Sequence, residues 1–180
     1  MEEQPIILVN EQDQPVGTMD KLSVHQQGLL HRAFSVFVFD RAGRLLLQQR
    51  AQRKYHGGGL WTNTCCSHPY PGEATDKAAA RRLQEEMGFQ TPLRKLFHFT
   101  YHAAVENGLI EHEFDHVFAG EYEGPVAPDG SEVADYCYRE MEAIENDLQQ
   151  NPARYTTWFR LAFPALQEWW QGAYKPKEVQ

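Results

Sequence analysis

The chain has 180 residues, 42% of them hydrophobic and 12% aromatic, which is typical of one folded domain with an ordinary core. A formal net charge of −8 argues against nonspecific nucleic-acid binding, and no apolar run approaches the roughly 20 residues of a membrane-spanning helix. Because residues 1–5 do not resemble a secretory signal and three cysteines do not make a disulfide framework, we expect a cytoplasmic protein without nucleic-acid or membrane partners.

The predicted elements begin with a hairpin, since two short apolar runs are separated by turn residues. Residues 21–30 have mixed polarity and are expected to form a loop, and the glycine-rich residues 56–59 an irregular connection. Helices are predicted where good helix formers precede Gly or Pro, the last one interrupted at Pro164. The expected strands are 6–10, 16–19, 33–40, 44–50, 95–103, 109–122 and 134–139, and the expected helices are 75–88, 140–148 and 157–170.

Several strands around one internal helix, followed by terminal helices, indicate an α+β fold or a layered α/β/α domain. We expect a single domain over residues 1–180. Its core should cover about residues 30–165, with an amino-terminal extension at 1–29 that includes the hairpin and a polar tail at 171–180. We expect a monomer or a weak homodimer.

The stretch at 61–69, Trp-Thr-Asn-Thr-Cys-Cys-Ser-His-Pro, sets a thiol and an imidazole two residues apart at Cys66 and His68. A charged run that is predicted to be helical follows at once. Taken alone, Cys66 is well explained as a small buried hydrophobe. Next to a histidine and several carboxylates, it indicates chemistry rather than packing.

The helical run from Glu73 to Phe89 resembles the Nudix signature, Gly-x5-Glu-x7-Arg-Glu-U-x-Glu-Glu-x-Gly-U, where U is a bulky aliphatic residue. Six positions match at the right spacing: Glu73, Arg81, Leu83, Glu85, Glu86 and Gly88. Ser67 stands in place of the first glycine, and Arg82 replaces the first glutamate of the helix. Helix carboxylates bind Mg²⁺ through oxygen, whereas an arginine binds phosphate bidentately. The replacement therefore points away from phosphate hydrolysis.

A second group of candidate ligands lies on the strand predicted at 109–122. On a strand, Glu111 and Glu113 project from one face about 7 Å apart, while His112 and Phe114 project from the other. Two such carboxylates repel unless a cation or a proton lies between them. Three imidazoles and two carboxylates would make a coherent metal site, but spacing alone does not select three of the eight histidines.

Together, the Cys66-x-His68 pair, the altered Nudix helix and the Glu111-x-Glu113 pair resemble type I isopentenyl-diphosphate delta-isomerases, over about residues 21–158. The resemblance implies an isomerase of isoprenoid biosynthesis that interconverts isopentenyl and dimethylallyl diphosphate. The expected substrate is thus a small allylic or homoallylic diphosphate. The resemblance also implies Mg²⁺ that bridges to the diphosphate, and Mn²⁺, Mg²⁺ or Zn²⁺ at a site of histidines and glutamates.

The resemblance also assigns roles to individual residues. The ligands of the first metal are His25, His31, His68, Glu111 and Glu113, and the second metal is bound by Glu86. The residues that grip the diphosphate are Lys21, Arg50, Lys54 and Arg82. The catalytic residues are Cys66, Glu113, Tyr101 and Trp158. No role follows for His56, His98 or His102.

Moving the double bond requires one proton to be added and another to be removed at a neighbouring carbon, through a tertiary carbocation. The indole of Trp158 would stabilise that cation by about 0.5–2 kcal/mol. We expect Glu113, with Tyr101, to deliver the proton and the Cys66 side to remove one, with the roles exchanged in the reverse direction. The metal would orient the carboxylate and tune its acidity.

Two other functions fit parts of the same pattern. A Nudix pyrophosphohydrolase of nucleoside diphosphate derivatives would release phosphate and would tolerate the substitution Cys66→Ala. An inactive Nudix-like domain that only binds a ligand would lack an acid or a base, whereas Cys66, Glu113 and Tyr101 are all present.

Overall fold

The computed structural model describes residues 5–173, so residues 1–4 and residues 174–180 of the predicted tail lie outside it. The described range contains nine strands and four α-helices, with 3₁₀ turns at Glu106–Gly108 and Pro152–Arg154. The strands are β1 (Ile6–Val9), β2 (Pro15–Met19), β3 (His31–Phe39), β4 (Leu45–Arg50), β5 (Trp61–Thr62), β6 (Cys65–Ser67), β7 (Arg94–Ala104), β8 (Ile110–Glu121) and β9 (Val133–Arg139). The helices are α1 (Lys21–Gln27), α2 (Thr75–Met87), α3 (Met141–Gln150) and α4 (Thr157–Ala173).

A mixed sheet forms the centre of the molecule, with β3 inside it. One edge of β3 pairs in parallel with β8 over the whole strand, and the other edge contacts β1, β6 and β4 in turn. Residues 33–39 of β3 are all buried. Such a continuous apolar run fits a strand that is covered on both faces.

Helices cover both faces of this sheet. On one face, Val36 of β3 packs in a cluster with Leu83 of α2. On the other face, Phe37 packs with Ile144 of α3 and Phe159 of α4, because successive strand residues point to opposite sides. The predicted layered α/β/α arrangement is therefore confirmed. Among the described helices, none is long and apolar enough to cross a membrane.

The prediction of a loop over residues 21–30 is wrong, because this segment contains helix α1. The Asp20 side chain caps the helix by accepting a hydrogen bond of 2.9 Å from the Ser23 amide, and Gly28 ends it in the left-handed conformation. These local hydrogen bonds outweigh the mixed polarity of the segment. The helix buries Val24 and His25.

The two strands predicted at 33–40 and 44–50 are present, but their pairing is limited to Phe39 and Leu45. The stretch that carries Cys66 lies between them instead. The hydroxyl of Thr64 accepts from the Val38 amide at 2.9 Å and donates to the Leu46 carbonyl at 2.6 Å, so that it bridges β3 and β4. Because β3 and β4 separate before this point, β6 can pair with β3.

A test of this packing uses two glycines with positive φ, Gly88 (+77°) and Gly72 (+79°). A Cβ at Gly88 would lie 2.3 Å from the Ala127 carbonyl oxygen, whereas one at Gly72 meets nothing within 4 Å. We expect Gly72→Ala to lower the free energy of unfolding by about 1–2 kcal/mol through backbone strain alone. Gly88→Ala should cost about 1–3 kcal/mol more through overpacking. Urea unfolding measures both, and equal losses would contradict this packing.

Candidate active site

A cavity of about 750 Å³ opens where β6, β8, α2 and the loop between β4 and β5 meet. Ten of the residues predicted from the sequence line it: Lys21, Arg50, Lys54, Cys66, His68, Arg82, Glu86, Glu111, Glu113 and Trp158. The other three are buried and lie next to Glu111 or Glu113: His25, His31 and Tyr101. The structure therefore brings the whole predicted set together.

The rings of His25 and His31 are held in one tautomer by the backbone. Nδ1 of His25 lies 2.6 Å from the Lys21 carbonyl oxygen, and Nδ1 of His31 lies 2.9 Å from that of Leu29. Because a carbonyl only accepts, each Nδ1 must donate, which leaves the Nε2 lone pair directed into the site. Both Nε2 atoms are buried and form no hydrogen bond with the described residues.

Four side chains, those of His25, His31, His68 and Glu113, offer ligand atoms within 4.8 Å of one another. Nε2 of His31 and Nε2 of His68 lie 3.5 and 3.4 Å from Oε1 of Glu113. Burial, followed by the nearby His31, lowers the pKa of His68 well below its ordinary value, so this imidazole is neutral. Orphaned imidazole nitrogens beside carboxylates fit a divalent metal ion.

Glu111 and Glu113 lie side by side on β8 and are both buried. Burial alone would raise the pKa of Glu113, but contact with His31 outweighs it and lowers the pKa to about 2. Burial, and then the repulsion by Glu113, would raise the pKa of Glu111, but its contacts with His25 and His56 outweigh both and lower it. Both groups are therefore carboxylates at neutral pH.

Cys66 is in the opposite protonation state. Burial raises the pKa of its thiol to about 12, an effect that the guanidinium of Arg50, 3.9 Å from the sulfur, only partly offsets. The same guanidinium lies 5.0 Å from the centre of the Trp158 ring. The cavity thus holds a protonated thiol that can donate and an ionised Glu113 that can accept.

Tyr101 stands directly opposite Glu113 in the pairing of β7 with β8. Burial, and then the charge of Glu113, raise the pKa of Tyr101 well above its usual range, so the phenol keeps its proton. Its buried hydroxyl makes no hydrogen bond of ordinary length with the described residues. It is therefore available as a donor to a carboxylate or to a ligand.

On α2, Arg82 contacts Glu85 at 2.7 Å and Glu86 at 2.6 Å, as their helical spacing predicts. Glu85 is exposed, whereas Glu86 lines the cavity and also accepts a hydrogen bond of 3.1 Å from Gln48. The helix therefore presents one arginine and one carboxylate to the cavity, which suits a diphosphate with a bridging cation.

Three residues of the site carry no role in the sequence prediction: His56, Asp115 and Glu132. His56 contacts Glu111, and Glu132 forms an ion pair with Lys54. Asp115 is fully buried and accepts a hydrogen bond of 2.7 Å from the Ser35 hydroxyl, while burial and the charge of Glu113 raise its pKa well above its usual value. The strand alternation that places Glu111 and Glu113 on one face also places Asp115 there, so the sequence could have identified it. No spacing in the sequence identifies His56 or Glu132.

Comparison with known proteins agrees with this geometry. Residues 29–159 match the NUDIX domain. The chain is 50% identical over 172 residues to an isopentenyl-diphosphate Delta-isomerase of Burkholderia multivorans, covering 93% of this chain and 98% of that protein. It is 51% identical over 154 residues to one of Serratia proteamaculans, covering 86% of each chain.

Solved structures resemble the fold at low sequence identity. A protein of Deinococcus radiodurans matches with a TM-score of 0.69 at 16% identity, covering 82% of this chain and 90% of that one. A MutT protein of Methanosarcina mazei matches with a TM-score of 0.65 at 18% identity, covering 77% and 94%. These matches confirm the predicted fold class.

The raised pKa of Cys66 can be tested by alkylation with iodoacetamide. Because only the thiolate reacts, the logarithm of the rate at Cys66 should rise by about one unit per pH unit from pH 7 to 10. An ordinary thiol, with a pKa near 8.5, would level off at about pH 9. Tandem mass spectrometry separates Cys66 from its neighbour Cys65. A plateau for Cys66 below pH 10 would contradict the raised pKa.

Proposed function

The chain belongs to the isopentenyl-diphosphate Delta-isomerase family of NUDIX-domain proteins, and we propose that it works through two proton-transfer groups, Cys66 and Glu113. It interconverts isopentenyl and dimethylallyl diphosphate in isoprenoid biosynthesis. One observation carries the proposed mechanism: a protonated thiol and an ionised carboxylate line the same cavity.

These protonation states favour a direction of transfer opposite to the one expected from the sequence. From isopentenyl diphosphate, the Cys66 thiol gives its proton to the terminal alkene carbon, which leaves a tertiary cation at the next carbon. The Glu113 carboxylate then removes a proton from the adjacent methylene, and the new double bond forms there. This leaves a thiolate and a carboxylic acid, so one proton must return to the sulfur before the next turnover. In the reverse reaction the two residues exchange roles.

Trp158 is proposed to stabilise the cation between these two steps. Its indole lines the cavity while only 5% of the residue is exposed, so the ring can face the cation without admitting water. The Tyr101 phenol, opposite Glu113, would hydrogen-bond the carboxylate and hold it toward the substrate. Trp158 thus stabilises the cation and Tyr101 orients the carboxylate, whereas Cys66 and Glu113 move the protons.

The diphosphate is proposed to bind at the basic wall of the cavity: Lys21, Arg50, Lys54 and Arg82. Arg82 occupies the position of a metal-binding glutamate in the Nudix signature, which favours phosphate binding over hydrolysis. Glu86 is the carboxylate that would hold a Mg²⁺ ion, whose charge would offset that of the diphosphate.

A second divalent ion, Mn²⁺, Mg²⁺ or Zn²⁺, would be held by the histidine and glutamate ligands named from the sequence: His25, His31, His68, Glu111 and Glu113. When bound, it supplies positive charge that offsets the two buried carboxylates. The free thiols of Cys65, Cys66 and Cys137 suit a reducing compartment such as the cytoplasm, where we propose that the protein acts as a monomer or a weak homodimer.

Proton exchange in heavy water tests this function. With divalent metal present, we expect the native protein to incorporate deuterium into isopentenyl diphosphate, observed by NMR, without releasing phosphate. Cys66→Ala should lower the rate by about 10²–10⁴-fold, as expected for loss of a general acid. Cys65→Ala serves as the matched control, because that neighbouring thiol is fully buried and does not line the cavity. Phosphate release without deuterium incorporation would instead support a hydrolase.

The proposed role of Trp158 predicts a graded loss of kcat. Trp158→Leu removes the aromatic face and should slow turnover by about 2–30-fold, the kinetic equivalent of roughly 0.5–2 kcal/mol of cation–π stabilisation. Trp158→Phe keeps an aromatic face and should lose less. Trp169→Phe is a suitable control, because Trp169, near the end of α4, packs against the core and does not line the cavity. Equal rates for the Leu and Phe variants would rule out a cation–π role.

A further inference from the structure

His56, in the irregular loop between β4 and β5, contacts two parts of the proposed site. Its Nε2 lies 2.8 Å from Oε1 of Glu111. Its ring meets that of Trp158 edge to face, with the centroids 6.0 Å apart and an interplanar angle of 85°. Only 7% of the residue is exposed. Because a carboxylate only accepts, a hydrogen bond at this distance requires Nε2 of His56 to carry the hydrogen.

This tautomer is the opposite of the one in His25 and His31, whose Nδ1 atoms carry the hydrogen and leave Nε2 free to bind a metal. A metal-binding histidine usually donates its other ring N–H to a carbonyl or a carboxylate. Nδ1 of His56 is buried and has no hydrogen-bond partner among residues 5–173. His25, His56 and Glu111 also offer ligand atoms within 4.8 Å of one another. Because no described residue orients the His56 ring through Nδ1, its arrangement favours a residue that holds a ligand over a ligand itself.

The two carboxylate oxygens of Glu111 have different surroundings. Oε1 receives the contact from His56 and lies 3.2 Å from Nε2 of His25. Oε2 is buried without a hydrogen-bond partner in the part of the chain that the structure describes. One oxygen is thus fixed in place while the other stays open, which is the state that a monodentate metal ligand requires.

We propose that His56 is a positioning residue that orients Glu111 by donating its Nε2–H to Oε1 and so presents Oε2 to the metal ion. This inference rests on the metal site of the proposed function. The same ring packs against Trp158, so His56 also links the orientation of the metal ligand to the wall that faces the substrate.

Two substitutions separate this role from the alternatives. His56→Leu removes the donor but keeps much of the volume, and it should weaken Mn²⁺ binding about 10–100-fold, the usual effect of losing a hydrogen bond to a metal ligand. His56→Gln retains an N–H donor and should restore most of the affinity. His102→Leu is the matched control, because His102 is an exposed histidine on β7 outside the cavity. Calorimetric titration with Mn²⁺ measures all three.

Kinetics provide a second readout. The His56 carbonyl accepts a hydrogen bond of 3.2 Å from Arg50, and a side-chain substitution leaves that backbone contact intact. Arg50 should therefore still bind the diphosphate in His56→Leu, so that KM changes little. We expect kcat to fall by a larger factor than KM rises. A rise in KM alone would overturn the proposed link between His56 and the reacting end of the cavity.

Pulsed EPR of bound Mn²⁺ distinguishes a positioning residue from a ligand, since it counts the histidine nitrogens coupled to the ion. We expect the same number in the native protein and in His56→Leu. Loss of one nitrogen would make His56 a ligand, and unchanged Mn²⁺ affinity would make its role structural; either result overturns the proposal. If His56→Leu does not fold, His56→Asn, which is too short to reach Glu111, replaces it. Because Mn²⁺ binding is measured without substrate, these results are independent of whether the isomerisation itself is observed.

Discussion

The structure depends on the burial of two like charges beside each other. The carboxylates of Glu111 and Glu113 repel each other, and this repulsion adds to the cost of removing both from water. Imidazoles from four separate segments surround them: His25, His31, His56 and His68. The helix α1, the central strand β3 and the loop after β4 are placed so that these rings converge on one strand of the sheet.

The same arrangement separates the protonation states of the two proposed proton-transfer groups. Cys66 lies on β6, which pairs with the edge of β3 opposite to β8, and burial dominates its pKa, so its thiol keeps the proton. Glu113 is buried as well, yet its histidine neighbours favour the ionised form. A donor and an acceptor therefore coexist in one cavity because their neighbours differ.

Much of this could be predicted from sequence, because strands, the Nudix helix and the Glu111-x-Glu113 alternation depend on local spacing. Helix α1 was missed because its stability comes from the Asp20 cap and from packing, not from an apolar period. The role of His56 could not be predicted either, since the loop that carries it has no regular structure from which a direction could be read. The weak pairing of β3 with β4 depends on Thr64, whose hydroxyl takes the place of a backbone partner.

Helix α1 is only seven residues long, too short to persist by itself in water. Two contacts hold it in place. Val24 is buried, and Nδ1 of His112 on β8 lies 2.9 Å from the Gly28 carbonyl oxygen. An ion bound to His25 would therefore act as a cross-link between this helix and the sheet. Part of its chelation energy would be spent on ordering the amino-terminal segment, so the measured affinity for the ion would understate the strength of its coordination bonds.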